Sequence, residues 1–216
     1  MLHITHLPGL VDYSHGLRLQ EETVASILGG QSPETLFLLE HRPVYTIGRL
    51  RDQSSLRDAA TLPHPVHETN RGGQATYHGP GQLVGYPLLD LTLRGKDLHE
   101  HLRLIEEALI RACAAFGVHA ARRDGLTGVW VENRKLASIG VGVRKWISMH
   151  GFAINVTAAS LSPFLAITPC GLDGVAMTSI ETEAGREITI VQAAAAIGET
   201  MRELFDLSLR PPVQGH

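Results

Sequence analysis

Apolar residues recur at helical spacing in three stretches of the chain. Residues 14–28 open on Ser14, carry Leu17, Val24, Ile27 and Leu28 on one stripe, and stop at Gly29-Gly30. A hydroxyl cap, a 3.6-residue apolar period and a terminal glycine pair predict a helix there. Residues 98–116 follow Asp97, with Glu100 three positions on, and place Leu98, Leu102, Ile105, Leu109 and Cys113 on one face before Gly117. The same cap spacing, Thr189 with Gln192, precedes residues 190–206, which carry Ala194, Ile197, Met201 and Leu204. Both read as capping boxes opening amphipathic helices.

Between the helices the pattern changes to short apolar runs. Residues 36–39, 44–47 and 84–91 (the last interrupted by Pro87) read as strands, as do 128–132 and 135–143 flanking a turn at Asn133-Arg134, and then 150–156. Strands and helices mix without regular βαβ alternation. That predicts an α+β fold with a largely antiparallel or mixed sheet, not a doubly wound nucleotide fold. No internal repeat is visible, and 216 residues suit one domain spanning 1–216.

The formal net charge of −3 argues against a general nucleic-acid binder. A local basic patch is still open, from Arg49, Arg51, Arg71, Arg144 and Lys145. The N-terminus lacks a basic start followed by an apolar run, and Arg111 interrupts the most apolar helical stretch. Neither a signal peptide nor a membrane span is expected, and the chain reads as cytoplasmic. Asn155-Val156-Thr157 fits a glycosylation sequon but carries no weight without secretion. Two cysteines could form one disulfide, but two thiols are the better default.

Those thiols differ. Cys113 shares a helical face with Leu109 and Phe116 and reads as structural. Cys170 sits in Ile167-Thr168-Pro169-Cys170-Gly171-Leu172, where a preceding proline and a following glycine can present a sulfur to a substrate; the bland reading is a buried loop cysteine. A free thiol of pKa about 8.5 is roughly 3% thiolate at pH 7, and a neighbouring ammonium would raise that share. The lysines are Lys96, Lys135 and Lys145. Lys135 opens an apolar strand just after the turn, where a solvated lysine is the ordinary case, and physics alone does not pair it with Cys170. Arg71 to Gln82 holds four glycines and a proline, so its backbone can approach a ligand closely. It matches neither GxxxxGK[ST] nor GxGxxG. The twelve histidines show no zinc spacing: His64 and His67 are flanked by prolines, and His99 and His101 face different ways on a helix. No metal site is expected. His41 and His78 read as site-lining polar groups.

Taken together these segments resemble the lipoyl(octanoyl) transferases. The matching stretches are His41-Arg42-Pro43-Val44-Tyr45-Thr46-Ile47-Gly48-Arg49, Arg71 to Gln82 with Leu83-Val84-Gly85-Tyr86-Pro87, Gly128-Val129-Trp130, Lys135-Leu136-Ala137-Ser138-Ile139-Gly140, His150-Gly151-Phe152-Ala153-Ile154-Asn155, and Pro169-Cys170-Gly171. They occur in the family's order and span most of the chain. The variable parts are residues 52–66 and the tail after Leu209.

The resemblance implies a fold like the biotin and lipoate protein ligases, with a larger and a smaller mixed β-sheet and flanking helices. It implies transfer of an octanoyl group from octanoyl-acyl carrier protein to a lysine of lipoyl domains, those of 2-oxoacid dehydrogenases and the glycine cleavage H protein. That is the first step of endogenous protein lipoylation. Cys170 would carry the acyl thioester and Lys135 would lower its pKa. The acyl pocket would be lined by Arg71, Gly72, Gly73, Gln74, Ala75, Thr76, Tyr77 and His78, by Ser138, Ile139 and Gly140, and by Gly151, Phe152 and Ala153. Thioester exchange is close to isoenergetic, so no cofactor is expected. Both protein substrates are expected to be acidic small domains, steered by the basic residues named above. The rival readings are an ATP-dependent lipoate or biotin ligase, transfer between lipoyl domains, and a non-catalytic acyl-carrier binding module.

Overall fold

The computed structural model describes residues 1–49, 53–168 and 174–209. Helices stand where the apolar period puts them: α1 (Tyr13–Leu28), α2 (Leu98–Ala114) and, after a short α3 (Ile180–Ala184), α4 (Ile190–Leu207). The expected caps hold in two cases. Asp97 accepts a hydrogen bond from Glu100 N at 3.0 Å, and Thr189 and Gln192 form a reciprocal capping box. The first helix departs from expectation. Its N-cap is Asp12, with no side-chain capping bond, and Ser14 lies within the first turn. α2 also ends earlier than predicted. Gly117, at φ +80°, reverses the chain so that Val118 N reaches Cys113 O, a helix-terminating turn.

The strands are β1 (His3–Val11), β2 (Thr35–His41), β3 (Val44–Ile47), β4 (Val66–Glu68), β5 (Thr76–His78), β6 (Gln82–Leu88), β7 (Ala121–Arg123), β8 (Leu126–Val131), β9 (Arg134–Arg144), β10 (Ile147–Asn155) and β11 (Ala176–Met177). Among the described residues they form two sheets. The larger runs β1-β2-β6-β10-β9-β8-β7, with β11 added beside β9; the smaller runs β4-β3-β5. Both mix parallel and antiparallel pairs.

Three expectations are corrected. Pro87 does not interrupt its strand: it lies within β6 opposite Leu36. Its ring faces Gly151 of β10, where the β6–β10 ladder has already ended at the Gly85–Phe152 pair, so no ladder bond is lost. The strand itself stops at Leu88, and Leu91–Arg94 is a 3-10 turn capped by Asp90. The β8–β9 turn is Glu132-Asn133, one residue earlier than expected, with Glu132 at φ +52° and Val131 paired to Arg134.

The larger sheet buries both faces. On one, Leu36, Leu38, Leu83, Val129, Leu136 and Ile154 meet α2 and α4. On the other, Phe37, Leu39, Val84, Tyr86 and Ala153 meet Val24 of α1. This alternation is the period of two that a doubly covered strand must satisfy. The smaller sheet turns Tyr45, Ile47 and Tyr77 toward Phe164 and Ile167. Its opposite face, with Thr46 and Thr76 paired, looks toward the α1 side of the larger sheet. The candidate site lies between the two sheets.

Candidate active site

Lys135 is among the largest fully buried side chains, only 2% exposed. The ordinary reading of a solvated turn lysine is therefore wrong. It sits one residue into β9, opposite Trp130 of β8, and its Nζ lies 5.2 Å from the centre of the Trp130 ring. A cation over an indole face recovers part of the cost of leaving water. Room for its stem comes from Gly128. A Cβ there would lie 2.9 Å from Lys135 Cε and 2.6 Å from Ala137 O. Gly128 is held in turn by its N–H donating to Glu106 Oε1 at 3.0 Å, a buried carboxylate that also pairs with Arg103 and Arg122. The Gly128-Val129-Trp130 stretch is thus a mould for one buried lysine.

Arg71 is buried as well, which removes it from any role in surface steering. Its Nη2 donates to Thr46 O at 3.0 Å, Thr46 Oγ1 at 2.7 Å and Gln74 O at 2.9 Å, and Nη1 donates to Gly72 O at 2.9 Å. A planar fork with several donors fits such a cluster of carbonyls; an ammonium would not. The loop 71–74 is stapled on both sides. Arg49 N donates to Arg71 O, and Gly72 N donates to Val141 O. Gly140 has no space for a side chain, since a Cβ would stand 2.7 Å from Gly72 O.

This loop, β5, β6 and the centre of β9 and β10 enclose a cavity of about 460 Å³, its open mouth included. Its polar wall is neutral imidazole and phenol around one guanidinium. Burial, with the nearby Arg71 charge, pushes His150 down to about 4. Burial also holds His78 well below its ordinary range, with the His41 and Arg71 charges acting the same way. Burial raises Tyr13 and, further, Tyr86. Behind the wall, His41 Nδ1 donates to Val11 O at 2.9 Å, so its Nε2 accepts from the Tyr86 hydroxyl at 2.6 Å. A second chain of amides leads away. His78 Nδ1 donates to Gln82 Oε1 at 2.8 Å, Gln82 Nε2 to Asn155 Oδ1 at 3.0 Å, and Asn155 Nδ2 to Thr178 O at 3.0 Å. Thr178 N then donates to Lys135 O at 3.0 Å. The cavity wall and the strand that follows residue 173 are therefore tied together beside Lys135.

Of the residues expected to line an acyl pocket, Arg71, Gly73, Gln74, Thr76, His78, Ser138, Ile139, Gly140, Gly151, Phe152 and Ala153 do line this cavity. Ala75 and Tyr77 do not. They belong to β5 or its approach and alternate to the far side, into the cluster with Tyr45 and Phe164. Gly72 borders the adjoining groove that contains Lys135. His41 supports Tyr86 from behind and does not line the wall. Tyr13, Val84, Tyr86 and His150 line the cavity without having been singled out. Tyr86 and His150 lay in the matching stretches, whereas no motif marks Tyr13. Cys113 is buried at the helix interface, and burial pushes its thiol up to about 12, as a structural cysteine requires. Cys170 and Arg51 lie outside the described residues. The chain before the Cys170 segment is anchored by Thr168 N donating to Ser55 O at 2.8 Å, and the chain after it by the Met177–Lys135 pair of β11 and β9.

With this geometry established, likeness to known proteins is informative. Residues 12–202 match the family model of the lipoyl protein ligase A/B catalytic domain. The chain is 52% identical over 187 residues to an octanoyltransferase of Geobacter sulfurreducens, covering 87% of this chain and 78% of that one. It is 50% identical over 198 residues to an octanoyltransferase of Geotalea uraniireducens, covering 92% and 91%. Among solved structures, a putative lipoate protein ligase of T. acidophilum superposes with a TM-score of 0.69 at 16% identity, over 95% of this chain and 85% of that one. The biotin protein ligase of Aquifex aeolicus superposes at 0.57 and 13%, over 94% and 68%. The fold is that of the lipoate and biotin protein ligases, and the chain belongs to the lipoyl protein ligase A/B catalytic-domain family as an acyltransferase of its octanoyltransferase group.

Proposed function

We propose that the chain moves an octanoyl group from octanoyl-acyl carrier protein to a lysine of a lipoyl domain by way of a thioester on Cys170. The observation that supports this reading most is Lys135. It is a buried ammonium at the inner end of a groove that shares Gly73, Ile139 and Gly140 with the cavity. A charge kept out of water at such cost is best understood as chemistry. The Cys170 thiolate attacks the carbonyl carbon of the donor thioester, the carbon–sulfur bond to the carrier breaks, and the carrier sulfur leaves as a thiol with a proton from the Lys135 ammonium, which is left neutral. The neutral acceptor amine then attacks the acyl-enzyme. An amide forms, the bond to Cys170 breaks, and the amine's proton passes to the site, with Lys135 as acceptor. The octanoyl chain lies in the cavity against Phe152, Val84 and the glycine backbone. One solved relative in fold is an archaeal bi-partite lipoate protein ligase described together with its E2 lipoyl domain, which supports a lipoyl domain as acceptor here.

The test is the intact mass of the protein after mixing with octanoyl-carrier protein alone, followed by peptide mapping. An octanoyl adduct on Cys170, lost on adding a lipoyl domain that gains the same mass, is expected. Transfer that requires ATP, or acylation that persists in Cys170→Ala, would overturn the mechanism.

A further inference from the structure

The groove beside the cavity has a composition that the acyl chain does not explain. Leu98 and Leu102, from the first turns of α2, line it together with Leu126, and Lys135 stands at its inner end. Both α2 leucines are only half-buried, although Ile105, Leu109 and Cys113 on the same stripe are fully buried. The apolar stripe of the helix thus runs past the core and out along the groove. Arg49, Gly125 and Thr127, all exposed, form the mouth. Among the described residues lining the groove there is no carboxylate, whereas the hollow on the other side of Arg49 carries Glu21 and Glu68. An apolar slot with a guanidinium at its mouth suits a slender ligand that is aliphatic along its length and anionic at its outer end.

We propose that this groove receives the 4′-phosphopantetheine arm of the acyl donor. Its thioester end lies beside Lys135, its aliphatic and amide portion lies against Leu98, Leu102 and Leu126, and its phosphate meets Arg49. The inference rests on the transferase reading above. An acceptor lysine is a poorer match, because four methylenes and an amine offer nothing anionic to the guanidinium. Thr127 and the backbone at Gly125 offer hydrogen-bonding groups to the arm's amides near the mouth.

Three octanoyl thioesters separate the parts: those of 4′-phosphopantetheine, of pantetheine, and of N-acetylcysteamine, which lacks most of the arm. The readout is kcat/KM for acylation of the protein. The phosphate is expected to add about tenfold, as one charge-assisted pair does, and the arm a further factor of about ten. Arg49→Ala should abolish the phosphate advantage and keep that of pantetheine over N-acetylcysteamine. Leu102→Trp, which fills the slot, should abolish the second ratio, with Leu98→Asp as the substitute if it does not fold. Equal use of all three thioesters, or ratios unmoved in the variants, would overturn the proposal. So would variants that raise only the KM for the lipoyl domain, since the acceptor would then occupy the groove. Failure of all three thioesters while octanoyl-carrier protein still acylates the protein would overturn the arm proposal alone; failure of octanoyl-carrier protein as well, with folded protein, would defeat the transferase reading and the arm with it.

Discussion

Lowering the pH should unfold this protein unusually early, because three histidines are buried as neutral imidazoles. Burial pushes His41 and His150 down to about 4 and, with the Arg94 charge nearby, His101 to about 3, from an ordinary value of 6.5. Between those values the unfolded chain holds more protons than the folded one. Stability therefore rises with pH, and is lost as pH falls from about 6.5 through about 4. Each group removes about 2 kcal/mol by pH 5, and the three together about 6 kcal/mol. That is comparable to the whole stability of a domain, about 5–15 kcal/mol. His78 acts in the same direction. Urea unfolding followed by tryptophan fluorescence near pH 7 and near pH 5 measures the difference directly. His101→Leu isolates one of these histidines. The ring is 2% exposed against Phe205, and neither ring nitrogen has a hydrogen-bond partner among the described residues. The variant should be at least as stable near pH 7 and lose about 2 kcal/mol less by pH 5. Exposed His119→Gln is the control. A wild-type loss under about 1 kcal/mol, or parallel pH curves for His101→Leu and wild type, would refute the reasoning.

Other substitutions test the site. Lys135→Met preserves the stem against Gly128 and removes the ammonium, so kcat for transfer to a lipoyl domain should fall by about 10²–10⁴. Lys135→Arg retains charge without a usable base and should impair single-turnover amine transfer. Arg71→Met leaves the carbonyls of Thr46, Gly72 and Gln74 without their donor, at about 1–3 kcal/mol each. It should lower the melting temperature and abolish octanoyl adduct formation together. Gly140→Ala drives a methyl toward Gly72 O, costing about 1–3 kcal/mol in overpacking. Its effect should appear mainly as a raised KM for the octanoyl donor.

The sequence by itself determined the three long helices, because each buries one stripe, and two of them meet a glycine stop, at Gly29-Gly30 and at Gly117. It also determined the central strands, whose apolar runs are covered on both faces. The Asp124-Gly125 turn between β7 and β8, with Gly125 at φ +74°, was equally available as a hairpin signal but was missed. Motif resemblance brought most cavity residues together in name. Only the tertiary structure decided which way they face. Thr76 and His78 look into the cavity and Tyr77 away from it, because a three-residue strand pairs with β3 in one register, and so short a strand leaves no periodic trace. The burial of Lys135 was equally hidden. A lysine after a turn looks solvated in one dimension, and becomes buried only when Trp130 and Gly128 fold back across the hairpin and β11 arrives beside it from far along the chain. Burial is a property of what lies across the sheet, and a local pattern carries no record of that.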